Sequence, residues 1–333
     1  MYLEVKCWNS KQLTPKKILE ISKKINLPVY VIEREIIFYD TLYVFSKFSP
    51  TKIALKGGSL ISRIYSEYPR FSWDIDLTSN IQKKSEYDLR KLNTHLKNEG
   101  RTHTYNFNSI SLETGLIERD VEKNVFKDIL SLRRPLTTYQ LGTALPIYLR
   151  LRGYNINKLA GKIIKLKEKY GRLPCIDFVR ATISLMDPAD LNKLPVRKIP
   201  SLVEEGIPPE CEVKISVYHP EYCLIDKVSR LSQPFDTARL RDLSCDFYDI
   251  GQLLKQSLNL SLVKERYKLL YTHRAIQDIE YVKRRVEENI RQLLLRPEIF
   301  KERREFIAAE KQYDWKEYLR KTLEELKNVL ESI

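Results

Sequence analysis

Two aspartates, Asp74 and Asp76, are the residues of this chain whose type and spacing point most directly to chemistry. They lie in the run 71–77, which predicts a strand, and residues two apart in a strand project from the same face. Ile75 and Leu77 then take the opposite face and can anchor the strand in a core. Two neighbouring carboxylates repel each other unless a cation or a proton joins them. Because Mg²⁺ prefers carboxylate oxygens, the pair predicts a divalent-metal site.

A turn that could bind phosphate stands shortly before this strand. An apolar, strand-like run at 53–55 leads into the turn, and a helix-compatible segment, 60–65, follows it. The turn itself consists of Lys56, Gly57, Gly58 and Ser59. The start of a helix offers free backbone N–H groups to an anion, and a serine adds a hydroxyl. A phosphate-binding turn followed by a metal-binding carboxylate pair is the equipment of nucleotidyl transfer.

The stretch LKGGSLISRIY…RFSWDIDL resembles a known family, the AbiEii/AbiGii-type nucleotidyltransferase toxins. That family is a branch of the DNA polymerase beta-like nucleotidyltransferase superfamily. Its first motif, Gly-Ser-x-x-x-Arg/Ser, is matched by Gly58, Ser59 and Arg63. Its second motif, Asp-x-Asp, is matched by Asp74 and Asp76. Either motif alone would be a weak signal, whereas the two together in this order are fairly specific.

Two later strand-like runs are similar to further parts of the family's pattern. The run 212–218 alternates as a strand and is followed by a helix, which places Lys227 at the lysine of the third motif. Lysine suits that role because it is a compact point charge for a phosphate. Polymerase beta-like enzymes also carry a third carboxylate on a strand beside the Asp-x-Asp pair. The run 175–183 offers Asp177 for it, although a lone aspartate in such a run is as often a surface residue.

The segment around residue 246 resembles the fourth motif, Arg-x-x-x-Asp-x-x-Asp. Asp246 and Asp249 match its aspartates, and on a helix they share a face. Strict spacing puts Asp242 at the arginine position, whereas Arg241 stands one residue earlier. Arg239 stands further back, so the spacing leaves open which of the two arginines serves the motif, and Arg241 is the nucleotide-binding candidate. Without the other matches, the two aspartates would be a polar stripe on an amphipathic helix.

The resemblance implies a metal-dependent transfer of a nucleotide from a nucleoside triphosphate (NTP). Asp74 and Asp76, with Asp177 as the third candidate, would hold one Mg²⁺ ion or two. The resemblance and the turn together suggest that the triphosphate contacts Lys56, Gly57, Gly58, Ser59, Arg63 and Arg241. The catalytic set would be Asp74, Asp76, Lys227, Asp246 and Asp249. Family members act as toxins neutralised by a cognate antitoxin, and some transfer nucleotides to the 3′ end of tRNA.

The charge of the chain is unusual and favours a polyanionic partner. Its 333 residues include 58 basic and 44 acidic side chains, a net charge of +14. Such an excess favours nucleic acid as the partner first and an anionic membrane surface second. The preference for nucleic acid agrees with RNA, and tRNA in particular, as the acceptor. The scattered cysteines lack metal-site spacing, and no apolar run approaches membrane-spanning length. We therefore expect a cytoplasmic protein that does not insert into membranes.

The predicted fold is α/β or α+β with a polymerase beta-like core. A small mixed sheet would carry the turn and the aspartates beside N-terminal helices, and a mainly helical C-terminal lobe would follow. We place these domains at 1–218 and 219–333. The cleft between them would hold the nucleotide, with Lys227 and its two aspartate neighbours opposite the Asp-x-Asp pair.

Two other functions remain open at this point. The first is a nucleotidyltransferase that modifies a small molecule, such as an antibiotic, or a protein hydroxyl, and such an enzyme would not need a basic surface. The second is a non-catalytic nucleic-acid-binding protein on the same fold. Against that second function stands the intact pair of Asp74 and Asp76, because a protein without catalysis has no reason to keep two repelling carboxylates.

Overall fold

The computed structural model describes the following residues: 15–27, 29–48, 53–72, 74–79, 109–110, 117–118, 138–144, 179–184, 189–203, 212–236, 240–300 and 313–333. Within these residues the chain forms one larger sheet, a two-stranded ribbon and a set of helices. The chain divides into two compact units, and the segments that form them alternate along the sequence.

The strands combine parallel and antiparallel pairing. Their bounds are β1 (Ile53–Lys56), β2 (Asp74–Ser79), β3 (Ser109–Ile110), β4 (Ile117–Glu118), β5 (Thr138–Ala144), β6 (Val179–Ser184), β7 (Val196–Ile199) and β8 (Val213–Val217). The larger sheet has the order β5-β6-β2-β1-β8-β7, and β3 pairs with β4. β2 and β6 run parallel, whereas β5 with β6 and β7 with β8 run antiparallel. This mixed sheet confirms the predicted fold class.

Unit 1 contains most of the sheet, because it takes in residues 1–54, 73–187 and 196–216. Its two described helices are α1 (Pro15–Ile25) and α2 (Val29–Phe48). α2 packs against β2 and β6 and buries the side chains of Val31, Ile32, Phe38, Leu42 and Phe45. This helix therefore supports β2, the strand that carries the aspartates.

A buried carboxylate also fixes α2 within unit 1. Glu35 accepts hydrogen bonds from Ser201 Oγ at 3.2 Å and from the backbone N of Leu202 at 2.9 Å. The Tyr39 hydroxyl, one turn further along α2, accepts a bond from the backbone N of Val213 at 3.4 Å. Such bonds satisfy polar groups that would otherwise be buried at a cost.

Unit 2 comprises residues 55–72, 188–195 and 217–333 and is mainly helical. Its helices are α3 (Gly57–Leu60), which continues as a π-helical turn (Ile61–Tyr65), α4 (Pro220–Leu231), α5 (Leu240–Leu254), α6 (Leu260–Thr272), α7 (Ile279–Leu294) and α8 (Trp315–Glu331). α4 packs against α5, α6 and α7, and both α3 and its π-helical turn pack on α5. The Gly-Gly-Ser segment therefore belongs to the same compact unit as the C-terminal helices.

Aromatic side chains fill the part of unit 2 where α8 meets α5. Phe300 stacks on Trp315 with ring centroids 4.5 Å apart, and the Tyr318 hydroxyl donates to the carbonyl of Tyr248 at 2.8 Å. Asp314 caps the start of α8 by accepting from two backbone N–H groups. The apolar side of α8, with Trp315, Leu319 and Leu326, is thus part of the core. Among the described helices, none combines the length and the apolar character that a membrane span requires.

Candidate active site

The Gly-Gly-Ser turn begins a helix directly after β1. Gly57 has a positive φ of 75°, a conformation that favours glycine. Lys56 is the N-cap residue of this helix and has an extended backbone, and its side chain makes no capping hydrogen bond. The Ser59 hydroxyl is fully buried and has no hydrogen-bond partner within the described part of the chain. Because a buried unsatisfied hydroxyl is costly, this turn is a place where a ligand oxygen would be stabilising.

Arg63 binds the backbone on both sides of this turn. Its Nη1 donates to the carbonyl of Ser59 and to the carbonyl of Ser72, each at 3.1 Å. The side chain is buried, and its guanidinium therefore holds the turn to the segment that leads into β2. This observed role is one of positioning. The predicted contact between Arg63 and a nucleotide stays a prediction.

Gly58 has a packing reason to be glycine. A Cβ atom placed there would lie 2.2 Å from Arg70 Nη2 and 3.1 Å from Ser72 Oγ. Arg70 uses the space to reach Asp249 on α5 through two parallel bonds, Nε to Oδ1 and Nη2 to Oδ2, each at 2.7 Å. This bidentate geometry is the strong form of an arginine–carboxylate pair.

Lys227 lies between the two aspartates of α5. Its Nζ is 2.6 Å from Asp246 Oδ1 and 2.7 Å from Asp249 Oδ2. The exposed fractions of Arg70, Lys227, Asp246 and Asp249 are 6%, 4%, 1% and 0%, and these four residues are called the ion cluster below. Arg230, which is half exposed, adds a contact of 3.1 Å to Asp246 Oδ2. The structure thus brings together the lysine and both aspartates that the resemblance singled out.

Three members of the ion cluster, Arg70, Lys227 and Asp249, have pKa values shifted toward their charged forms. Burial alone would raise the pKa of Asp249, but Arg70 and Lys227 outweigh burial and hold that pKa below its ordinary value. Burial would lower the pKa of Lys227, yet Asp246 and Asp249 raise it above the ordinary lysine value. The pKa of Arg70 rises for the same reason, because the attraction of Asp249 exceeds the effect of burial. Two cations therefore face two carboxylates inside unit 2.

The Asp249→Asn substitution is expected to make the stability of the chain less sensitive to acid. The folded-state pKa of Asp249 lies below its ordinary value of 3.8, so the carboxylate stabilises the fold above that value. This contribution is lost as the pH falls through the folded-state pKa. Below about pH 4, the free energy of unfolding of the wild type should fall more steeply than that of Asp249→Asn.

Urea unfolding across the acidic range measures this difference. Asp242→Asn is the matched control, because Asp242 is exposed on the same helix, and it should keep the wild-type slope. Equal slopes for the wild type and Asp249→Asn would contradict the pairing.

The Asp-x-Asp pair has the geometry that its spacing predicts. Asp74 is exposed and Asp76 is partly exposed, whereas Ile75 and Leu77 are fully buried. β6 lies beside this strand in parallel, with Asp74 opposite Arg180 and Asp76 opposite Thr182. The carboxylates therefore share the accessible face of β2.

The two carboxylates of β2 fit a magnesium ion. Mg²⁺ is commonly held by one or two carboxylates, with water and substrate phosphates as its remaining ligands. Asp74 and Asp76 supply such oxygen donors. Among the described residues, no group of three or more His, Cys, Asp or Glu side chains could hold a metal. Asp177, the third candidate, lies outside the described residues, as does the side chain of Arg241.

Comparison with known families bears on the chemistry of these residues. The model of the family described as the nucleotidyl transferase AbiEii toxin of type IV toxin–antitoxin systems matches residues 42–146 and 178–331. The chain belongs to this family. The match covers more than half of the sequence and includes the turn, the Asp-x-Asp pair and the ion cluster. This AbiEii-family protein is thus a nucleotidyltransferase and a toxin of the type IV toxin–antitoxin class.

A solved structure is also similar to this AbiEii-family chain. MenT4, a nucleotidyltransferase toxin from Mycobacterium tuberculosis, superposes with a TM-score of 0.49 at 14% sequence identity. The superposition covers 95% of this chain and 90% of MenT4. None of the curated proteins matches the sequence.

Arg70 is the residue of this site that sequence reasoning missed. In the described part of the AbiEii-family chain, Arg70 reaches Asp249 from the loop before β2. The role of Arg241 as the arginine of the fourth motif stays a prediction, because its side chain lies outside the described residues. The only signal available for Arg70 was its position, four residues before Asp74.

Proposed function

We propose that this toxin uses Mg²⁺ and an NTP to transfer a nucleotide to RNA, with the 3′ end of tRNA as the first acceptor to test. One observation carries the metal and nucleotide part of the proposal. A helix start with a buried serine hydroxyl at Ser59, which has no hydrogen-bond partner among the described residues, is followed 15 residues later by Asp74 and Asp76 on the accessible face of a strand. Phosphate oxygens suit the first feature, and a hard cation suits the second.

The two groups of candidate residues have separate tasks in the proposed reaction. Asp74 and Asp76 would hold Mg²⁺, which supplies charge neutralisation on the triphosphate and a lower pKa for the attacking hydroxyl. The backbone N–H groups of Gly57 and Gly58 and the hydroxyl of Ser59 would bind phosphate oxygens. The rate would come from positioning and from electrostatic stabilisation rather than from a protein nucleophile.

Lys56 and Lys227 would add positive charge to the triphosphate site. The Lys56 ammonium lies 5.6 Å from the centre of the Tyr218 ring, so a cation–π contact orients it at the start of α3. Lys227 is held by Asp246 and Asp249. Its ammonium has three N–H donors, so two would stay on the aspartates while the third would bind a phosphate oxygen.

The acceptor part of the proposal depends on charge. A net charge of +14 favours a polyanion, and RNA offers both the negative backbone and a terminal hydroxyl. With an RNA acceptor and free NTP as substrates, we expect the reaction to take place in the cytoplasm. Membership of a toxin–antitoxin family adds a cognate antitoxin as the expected partner.

Label transfer tests the acceptor directly. The purified chain would be incubated with total tRNA, Mg²⁺ and each of the four NTPs labelled at the α-phosphate. Label is expected on the 3′ end of tRNA from one NTP or a subset of the four. Periodate-oxidised tRNA, which lacks the 3′ hydroxyls, serves as the matched control and should stay unlabelled. Label that appears on protein, or on oxidised tRNA equally, would overturn the 3′-end acceptor.

A further inference from the structure

Arg70 occupies a central place in unit 2 that the proposed function does not yet explain. It is buried, and it lies in the loop between the helix that carries the phosphate-binding turn and β2. Its guanidinium contacts two features of the site at once, Gly58 in the turn and Asp249 in the ion cluster. Burying an arginine is costly unless its charge is fully paired. The pairing of Arg70 with Asp249 is therefore needed for Arg70 to be stable at this position.

The contact of Arg70 with Asp249 determines where the ammonium of Lys227 is held. Both oxygens of the carboxylate accept from Arg70, through Nε and Nη2, and this fork fixes the plane of the carboxylate. The same Oδ2 atom that accepts from Arg70 Nη2 lies 2.7 Å from Lys227 Nζ. Lysine has a flexible four-carbon stem, so the position of its ammonium depends on carboxylates that are themselves held in place.

The contact with Gly58 brings the guanidinium against the phosphate-binding turn. A Cβ atom on Gly58 would meet Arg70 Nη2 at 2.2 Å, which shows how closely the backbone and the guanidinium approach. Because Asp249 compensates the charge of the guanidinium, Arg70 affects the turn through this close contact, which fixes the position of the Gly58 backbone. Arg70 therefore acts on the turn and on the lysine from the same position.

We propose that Arg70 is the positioning residue of the triphosphate site, joining the Gly57–Ser59 turn to Lys227 through Asp249. This inference rests on the proposed function, because it requires the turn and Lys227 to meet the triphosphate. It assigns Arg70 no contact with the reacting atoms.

Binding of inorganic tripolyphosphate to Arg70→Lys tests the inference. Lysine keeps the charge but cannot form the two parallel bonds to Asp249, so the variant should fold and bind tripolyphosphate about 10- to 100-fold more weakly than the wild type. Arg70→Gln, which removes the charge as well, should bind more weakly still. Calorimetry on the full chain measures both affinities, and thermal unfolding gives the folded fraction.

The control separates positioning from general loss of stability. Phe300→Leu weakens the aromatic cluster of unit 2 without touching the ion cluster, so it should lower the melting temperature and leave tripolyphosphate affinity unchanged. Wild-type affinity in folded Arg70→Lys would overturn the inference. A wild-type chain that binds neither tripolyphosphate nor any NTP would overturn the proposed function together with it. Binding without transfer to tRNA would remove only the proposed acceptor, and the Arg70 comparison would still decide the inference.

Discussion

Replacing Asp74 and Asp76 together with asparagine is expected to reduce nucleotidyl transfer by about a thousandfold or more, because the change removes the carboxylates that would hold Mg²⁺. Both side chains lie on the accessible face of β2, and the core side of that strand is left intact. The melting temperature should therefore stay at the wild-type value or rise slightly, since a repulsion between neighbouring carboxylates disappears. Initial rates of label transfer, measured beside thermal unfolding, test both statements.

The matched control for this pair is an exposed aspartate elsewhere. Asp242→Asn changes charge by the same kind of substitution on the surface of α5 and should retain wild-type transfer. Transfer by the Asp74→Asn/Asp76→Asn variant within tenfold of the wild type would contradict the role of the pair. A large fall in the melting temperature would show instead that these two residues stabilise the fold.

The second large effect is expected from Lys227→Met, which should lower the free energy of unfolding by about 3–5 kcal/mol. Methionine has similar length but no charge, so Asp246 and Asp249 would face each other in a buried site with Arg70 as their remaining buried cation. Breaking a buried pair by removing one partner leaves an uncompensated charge, and that charge is what destabilises the fold. Urea unfolding at neutral pH measures the change as a shift of the midpoint.

Two further variants make this result specific to the ion cluster. Lys264→Met removes an exposed lysine from α6 and should change the stability by less than about 0.5 kcal/mol. The double variant Lys227→Met/Asp246→Asn should lose less stability than Lys227→Met alone, because one of the orphaned charges is removed with the lysine. A loss below about 1 kcal/mol in Lys227→Met would show that the cluster is not paired as described.

The local parts of this site could be predicted from the sequence because each depends on a short-range rule. The period of two in a strand places Asp74 and Asp76 on one face and buries Ile75 and Leu77, and the structure agrees. Spacing of three residues on a helix places Asp246 and Asp249 on one face in the same way. Hydrophobic periodicity likewise predicted the strand at 212–218 and the helix that follows it.

The long-range parts could not be predicted in this way. Arg70 and Asp249 stand 179 residues apart, and no periodic pattern relates two positions in different elements. The need for glycine at position 58 could not be predicted either, because the atom that excludes a Cβ there belongs to Arg70, which lies in another element. The fourth-motif spacing suggested an arginine on α5, whereas the described partner of Asp249 comes from a loop. Pairing of this kind becomes visible only when the chain is folded.

The measurement that tests the central claim most directly is the Mg²⁺ dependence of NTP binding. Each of the four NTPs would be titrated into the wild type and into Asp74→Asn/Asp76→Asn, once with Mg²⁺ and once with EDTA. In the wild type, Mg²⁺ should tighten binding of the preferred NTP by about 5- to 150-fold, the usual range of coupling between two ligands. The double variant should show no such gain, because its carboxylates no longer hold the ion. An equal gain in both proteins would place the metal elsewhere and contradict the account.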